Sequence, residues 1–185
     1  MNVYDFDGTI YCGDSSVDFW MFCAQRHPII LKTVPQVFLS GVKYKWFHGS
    51  LEELKSNFFS SLPLLPNVEQ EVVAFWDKHE GSICKWYLEQ KREDDVIISA
   101  SPEFLLQECC KRLGVKLIGT RVDKRTGRLI GKNCKGKEKV RRFQEIYPSN
   151  IIENFYSDTR SDTPMAEQAK HSFFVKRGKV LLWGE

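Results

Sequence analysis

Residues 95–100 read DVIISA, and the run from Val96 to Ile98 offers no polar position to either face of a strand. A strand with one wet face alternates apolar and polar side chains. A strand that is apolar at every step must be covered on both sides, and helices supply that cover in parallel sheets. The flanking segments fit this demand. "SPEFLLQECCKRLG" predicts a helix with Pro102 near its first turn and Gly114 at its end. "VKLIGT" predicts the next strand. "RVDKRTGRLIG" predicts a β-hairpin with Thr126 and Gly127 near the turn. A helix over about 137–146, a strand in "NIIENFYSD", a helix after Asp162 and a strand in "SFFVK" complete the series, and residues 2–6 form a short strand at the start. Strand and helix in alternation predict an α/β fold built on a parallel sheet.

The stretch from 14 to 93 follows a different rhythm. It is aromatic-rich and helical, punctuated by Pro28, Pro35, Pro63 and Pro66. Val17, Trp20, Met21 and Ala24 form a stripe at helical spacing. Ser50 with Glu53 three residues later predicts a capping box. "NVEQEVVAFWDKH" and "ICKWYLEQK" predict two more helices. The aromatic set Trp20, Phe58, Phe59, Phe75 and Trp76 is assigned to the core. The expected division is a core domain of residues 1–13 and 86–185, with an all-helical cap domain, 14–85, inserted after the first strand.

The 185 residues suffice for one core and a modest insert. With 42% hydrophobic and 28% charged residues, global disorder is not expected. No apolar run approaches the roughly 18 residues of a membrane helix, since Lys32 and Pro35 break "PIILKTVPQVFLSGV". No basic segment precedes an apolar one at the amino terminus, so no signal peptide and no integral membrane segment are expected, and the location expected is cytoplasmic. The six cysteines, Cys12, Cys23, Cys84, Cys109, Cys110 and Cys134, contain no C-x-x-C pair and are expected as reduced thiols. Net charge is +3, yet 111–142 holds 13 Lys or Arg against Asp123 and Glu138. That block contains no aromatic residue, hence no base-stacking platform. It reads better as a solvated face that attracts an anionic substrate than as a nucleic-acid-binding module.

In an open parallel sheet, ligands gather beyond the carboxyl ends of the strands. The first predicted strand ends at Asp5-Phe6-Asp7, the next at Ser99-Ala100-Ser101, and a later one at Ser157-Asp158, with Asp162 opening the following helix. A lysine-rich segment, "KGKEKV", opens another helix. Carboxylates, a hydroxyl and a lysine from distant parts of the chain therefore converge on one sheet edge. Hard oxygen ligands suit Mg²⁺, while hydroxyl and ammonium groups suit a phosphate.

The motifs "DFDGT", "ISASPEF", "GKNCKGKEKVRRF" and "YSDTRSDTP", in this order, resemble those of the haloacid dehalogenase-like (HAD) hydrolase superfamily. The likeness is to its phosphoserine-phosphatase-like branch, which carries a helical cap after the first strand. The resemblance implies a Rossmann-like core and a Mg²⁺-dependent phosphatase acting on a small phosphorylated substrate. It implies Asp5 as the nucleophile that forms an aspartyl-phosphate and Asp7 as the general acid and base. It implies phosphate contacts from Thr9, Ser99 and a lysine. Lys139 is preferred because Phe143 and Ile146 fall on its side of the helix, with Lys135 second and Lys137 also open. Mg²⁺ would be held by Asp5, Asp158 and the backbone carbonyl of Asp7, with Asp162 binding directly or through water. Asp14 and Ser15 fall where substrate contacts are expected, although Asp14 suits a helix N-cap equally well. The resemblance leaves open which phosphate monoester is taken and whether a phospholipid headgroup is accepted.

A competing motif overlaps these segments. "GKNCKGKE" (131–138) matches the P-loop pattern at Gly131, Gly136 and Lys137, but Glu138 stands where that motif needs Ser or Thr. A P-loop would also leave Asp5 and Asp7 without a role.

Overall fold

The structure, a computed structural model, describes residues 1–46, 50–149 and 151–184. Asn150, which the sequence reading places at the head of a strand, lies outside them. The chain folds into a six-stranded sheet of order β3-β2-β1-β4-β5-β6. Strands β1 (Val3–Tyr4), β2 (Val96–Pro102), β3 (Lys116–Thr120), β4 (Ile152–Ser157) and β5 (Ala169–Lys176) are parallel. The edge strand β6 (Lys179–Leu182), absent from the sequence reading, runs antiparallel to β5 after a turn at Arg177 and Gly178.

Period-two alternation sorts the strand side chains into two layers. Val3, Val96, Ile98 and Phe155 point to one face. There they meet Phe143 of α7 (Lys137–Ile146) and Met165 of α8 (Thr163–Ala166). Tyr4, Ile97 and Tyr156 point to the other. This face is covered by α6 (Glu103–Leu113), α5 (Lys85–Gln90) and the helices before them. An aromatic ladder crosses the strands on this side. Tyr4 stacks on Tyr156 at 4.7 Å between ring centroids, and Tyr156 on Phe173 at 4.8 Å.

Between β1 and β2 lie α1 (Ser15–Arg26), α2 (Val34–Trp46), α3 (Leu51–Phe59), α4 (Val68–His79) and α5. No helix among the described residues is long and apolar enough to cross a membrane. Pro35 opens α2 rather than breaking it, because a proline in the first turn forfeits no hydrogen bond. The predicted α1 stripe is corrected in half: Trp20 and Ala24 pack against the core, but Val17 and Met21 are exposed, and Phe19, Phe22 and Cys23 are buried. Both sets have helical spacing. The phenylalanines win because they bury more area, with Phe19 and Phe22 edge-on to Phe75. The capping box is half formed. Ser50 Oγ accepts from Glu53 N at 3.0 Å, but the Glu53 carboxylate turns to Lys43. The predicted hairpin over 121–131 forms as a short one, with Val122 bridging Leu129, Ile130 N donating to Arg121 O and Asp123 N to Arg128 O, and its turn at Thr126 and Gly127. Its turn packs on the end of α3 so tightly that a Cβ on Gly127 would fall 2.1 Å from the Phe59 carbonyl oxygen.

Trp76 of α4 joins the helical insert to the sheet side of the molecule. It is fully buried and edge-on to Phe6 and Tyr11, and its Nε1 donates to the Leu105 carbonyl of α6 at 2.7 Å. One apolar cluster therefore runs from the insert into the sheet layer. Trp76→Ala is expected to cost about 3–5 kcal/mol in chemical denaturation, and Trp76→Phe about 1–2 kcal/mol, since the latter removes one hydrogen bond and part of the ring volume.

Candidate active site

Asp5 leaves β1 directly, with its N–H donating to the Tyr156 carbonyl at 2.8 Å. The chain then turns tightly around the Phe6 carbonyl, which accepts from the N–H groups of Thr9, Ile10 and Tyr11. The turn requires Gly8, which sits at φ +68°. A Cβ there would lie 2.1 Å from Asp158 Oδ2, so the end of β4 presses its carboxylate directly on this backbone. Thr9 secures the same contact, since its buried Oγ1 accepts from Asp158 N at 3.0 Å.

Lys139, on the first turn of α7, is only 1% exposed. Its Nζ lies 2.8 Å from Asp5 Oδ1 and 2.5 Å from Asp162 Oδ2. Ser157 Oγ donates to Asp162 Oδ2 at 3.0 Å. Asp162 thus precedes α8 without capping it, its carboxylate being spent on Lys139 and Ser157. Burial works against the Lys139 charge, but Asp5 and Asp162 outweigh it and hold its pKa above the usual lysine value. Burial also pushes Asp5 up, with Lys139 pulling it back and Asp162 opposing. Phe143 packs on the Lys139 side of α7 as expected, whereas Ile146 is exposed, because the helix ends there.

Asp7 is fixed separately. Its Oδ1 accepts from Ser15 N at 2.7 Å and its Oδ2 from the Ser101 hydroxyl. Burial raises its pKa to about 6, and the hydrogen bonds from Ser101 and Ser15 restrain the rise. Asp158 is likewise raised to about 6, by burial and then by the charge of Asp5.

These groups border a cavity of about 450 Å³ lined by Asp5, Asp7, Ser99, Lys139, Asp158 and Asp162, and by residues of α1 and α3. Ser99 is buried midway along β2, where the pairing with β3 turns irregular after Ile98, and its Oγ accepts from Ser101 N at 3.0 Å. Lys135 borders the cavity but is exposed, unlike Lys139. Asp14 is the N-cap of α1, accepting from Ser16 N and Val17 N, each at 3.0 Å, and it also edges the cavity. Ser15 is wholly buried and meets Asp7 through its backbone, so Ser16 reaches the cavity in its place. Thr9 is not in the lining either.

Besides Ser16, the polar lining residues to which the sequence reading gave no role include Ser101, Lys55 and Asn133. Ser101 carried a signal, because it stands two positions from Ser99 on one strand. Lys55 of α3 and Asn133 carried none. Lys55 Nζ donates to Ala100 O and Asn133 Oδ1, each at 2.8 Å, and burial lowers its pKa to about 8.

Among the described residues, no three His, Cys, Asp or Glu side chains converge as a metal-binding group. The Asp7 carboxylate is taken by Ser15 and Ser101, which leaves the backbone carbonyl of Asp7 for the expected metal contact, and Lys139 takes one oxygen of Asp162. Asp5 is buried, the partly buried carboxylate of Asp158 presses on the Gly8 turn and feels the charge of Asp5, and the second Asp162 oxygen is buried with no partner. A hard dication fits this donor chemistry, completed by backbone oxygen and water.

The P-loop reading lacks its structural setting. Only an isolated bridge precedes Gly131, Lys137 is exposed, and Glu138 is ion-paired with Arg141 and Arg142, which hold its carboxyl down to about 2. The basic block is partly neutralised in place: Arg112 pairs with Asp77 and Glu108, Lys124 with Glu69, and Arg141 with Glu138 and Glu145. Of the six cysteines, Cys12 is exposed and five are buried, and none is paired.

The raised carboxyl at Asp158 has a measurable cost. A carboxyl whose folded pKa exceeds its unfolded value lowers stability as pH climbs from about 4 to about 6, and the loss persists above that window. In divalent-free buffer, Asp158→Asn is expected to melt at a higher temperature than wild type near pH 8 and to show no gain near pH 4. Thermal unfolding at both pH values checks this.

Comparison with known proteins agrees with the geometry. The sequence profile of the haloacid dehalogenase-like hydrolases matches residues 3–167. Protein CicA of Caulobacter vibrioides is 29% identical, over 95% of this chain and 86% of that one. A protein of unknown function from Bordetella pertussis Tohama I shares the fold with a TM-score of 0.74 at 19% identity, covering 93% of this chain and 87% of that one. A phosphoserine phosphohydrolase-like protein from Francisella tularensis does so with a TM-score of 0.54 at 15% identity, covering 93% and 86%. With the profile spanning nearly the whole chain over the sheet edge just described, the chain belongs to the haloacid dehalogenase-like hydrolases.

Proposed function

We propose that this hydrolase cleaves the phosphate monoester of a small molecule, using Mg²⁺ and an aspartyl-phosphate formed on Asp5. The observation that carries the reading is the buried contact of Lys139 with both Asp5 and Asp162, beside an Asp7 held by other partners. One carboxylate is thereby fixed at a cationic centre and the other kept apart as a proton carrier. The family membership and the fold shared with a phosphoserine phosphohydrolase-like protein support it.

The steps follow from the chain's own groups. A carboxylate oxygen of Asp5 attacks phosphorus, and the bond from phosphorus to the ester oxygen breaks. Asp7, raised to about 6, delivers its proton to the departing oxygen. Water then attacks the phosphorus of the aspartyl-phosphate, Asp7 takes back a proton, and phosphate leaves Asp5 free. Ser99 and Lys139 face the transferring oxygens with a hydroxyl and an ammonium donor. Asp5 and Asp158, with the backbone oxygen of Asp7 and with Asp162 directly or through water, would hold Mg²⁺. The ion supplies positive charge against the phosphoryl oxygens and lowers the pKa of Asp5. Residues 14–85 act as the cap, whose α1 and α3 form the far wall of the cavity. Lys55 places a positive charge on that wall, spending two of its three donors on Ala100 and Asn133. A substrate with a second anionic group suits it. The partly paired basic block and the P-loop segment without a preceding strand favour this reading over nucleic-acid or nucleotide binding.

Three outcomes are expected. Asp5→Asn loses roughly a thousandfold or more in kcat on p-nitrophenyl phosphate while its melting curve stays native-like; full activity in that variant overturns the mechanism. Chelation of divalent cations abolishes turnover and Mg²⁺ restores it. In a screen of phosphorylated metabolites, Lys55→Met raises KM for dianionic-tailed substrates and leaves p-nitrophenyl phosphate unchanged. Wild-type KM for the former rises above about pH 8, as Lys55 loses its proton.

A further inference from the structure

Helix α2 is turned inside out relative to an ordinary surface helix. Val34, Phe38, Val42 and Trp46 recur every four residues and form one ladder, with Pro35 and Leu39 beside it. Such a stripe normally faces the core. Here the only fully buried residue of α2 is Ser40. Phe38 is 69% exposed, Leu39 66% and Trp46 69%, and Val34 is also exposed. The preceding 3-10 turn (Pro28–Thr33) extends the surface with exposed Ile29 and Leu31.

The charges carried by this segment all have one sign, and the acidic group beside it is Glu53 of α3. From His27 to Leu51 the chain contains no Asp or Glu, and it contains Lys32, Lys43 and Lys45. Lys45 and Lys43 flank the two edges of the ladder, and Lys45 lies over the Trp46 ring at 5.7 Å. Lys43 pairs with Glu53 at 2.8 Å, which leaves Lys32 and Lys45 as the principal fixed charges of the surface. Exposed aliphatic and aromatic side chains bordered by lysines, with a tryptophan at one end, match the composition of helices that lie in a lipid interface. A second copy of the chain fits less well. The acidic group beside the stripe, Glu53, is already paired with Lys43, so a two-fold contact would set Lys32 and Lys45 against one another.

We propose that α2 and the turn before it dock on an anionic lipid bilayer, with Phe38, Leu39 and Trp46 entering the interface and Lys32 and Lys45 meeting the headgroups. The chain lies on the membrane and does not span it, consistent with the short length of α2. Docking places α3, which packs beside α2 and forms part of the cavity wall, close to the lipid surface. The proposal concerns binding and does not depend on the chemistry of the cavity.

Flotation with vesicles tests it. The intact chain is mixed with vesicles of phosphatidylcholine alone or of phosphatidylcholine with a minority of phosphatidylglycerol. Wild type is expected to float with the anionic vesicles, less with neutral ones, and less at high salt. The double variant Phe38→Glu with Leu39→Glu is expected to bind roughly tenfold more weakly or not at all. Its circular-dichroism melt and its p-nitrophenyl phosphate hydrolysis should match wild type. A second variant, Lys32→Gln with Lys45→Gln, should keep any neutral-vesicle binding and lose the response to phosphatidylglycerol. Absence of flotation, equal flotation by the Glu variant, or a wild-type dimer that this variant makes monomeric would overturn the proposal.

Discussion

The site depends on one buried cation. Lys139 lies between Asp5, from the first strand, and Asp162, from the segment after the fourth, and it is almost wholly removed from water. Two carboxylates this close would repel strongly in a low-dielectric interior, and an unpaired ammonium there would lose its proton. Each group makes the others tolerable. The order of the sheet is what permits it, because β1 sits between β2 and β4 and brings the ends of all three to one edge. Removing the lysine would leave both carboxylates uncompensated, so fold and site share this contact.

Asp7 follows a different logic. Two residues beyond Asp5, it would continue the strand if the chain stayed extended. The turn at Gly8 and the hydrogen bonds of Phe6 O redirect it toward Ser15 N and Ser101. Its position is therefore set by the start of α1, which Asp14 caps, and by the end of β2. The first residues of the helical insert thus help to aim a core carboxylate. Insert and sheet also share an apolar cluster through Trp76, so movement of the insert would be felt at Asp7.

Much of this was legible in the sequence for identifiable reasons. The uninterrupted apolar run at 96–98 announced a covered parallel strand, Asp5 and Asp158 could be read as strand-end residues, and Asp162 as the opening of the following helix; Ser99 was read at a strand end, but β2 continues to Pro102. Lys139 could be preferred over Lys135 and Lys137 because Phe143 lay on its side of the helix. The reading failed where two patterns had equal period, as with the two stripes of α1. It failed also where partners came from distant segments, as with Lys55 and Asn133.

The sequence by itself determined the alternation of strands and helices, the carboxylates at the strand ends and the all-helical character of the insert. These rest on local periodicity and on residue chemistry, which need no partner to be recognised. Only the tertiary structure decided which carboxylates pair with Lys139, that Asp7 is anchored by Ser15 and Ser101, and that the apolar stripe of α2 faces outward. An amphipathic pattern specifies that a helix has two faces. Which face is covered depends on what the rest of the chain brings against it.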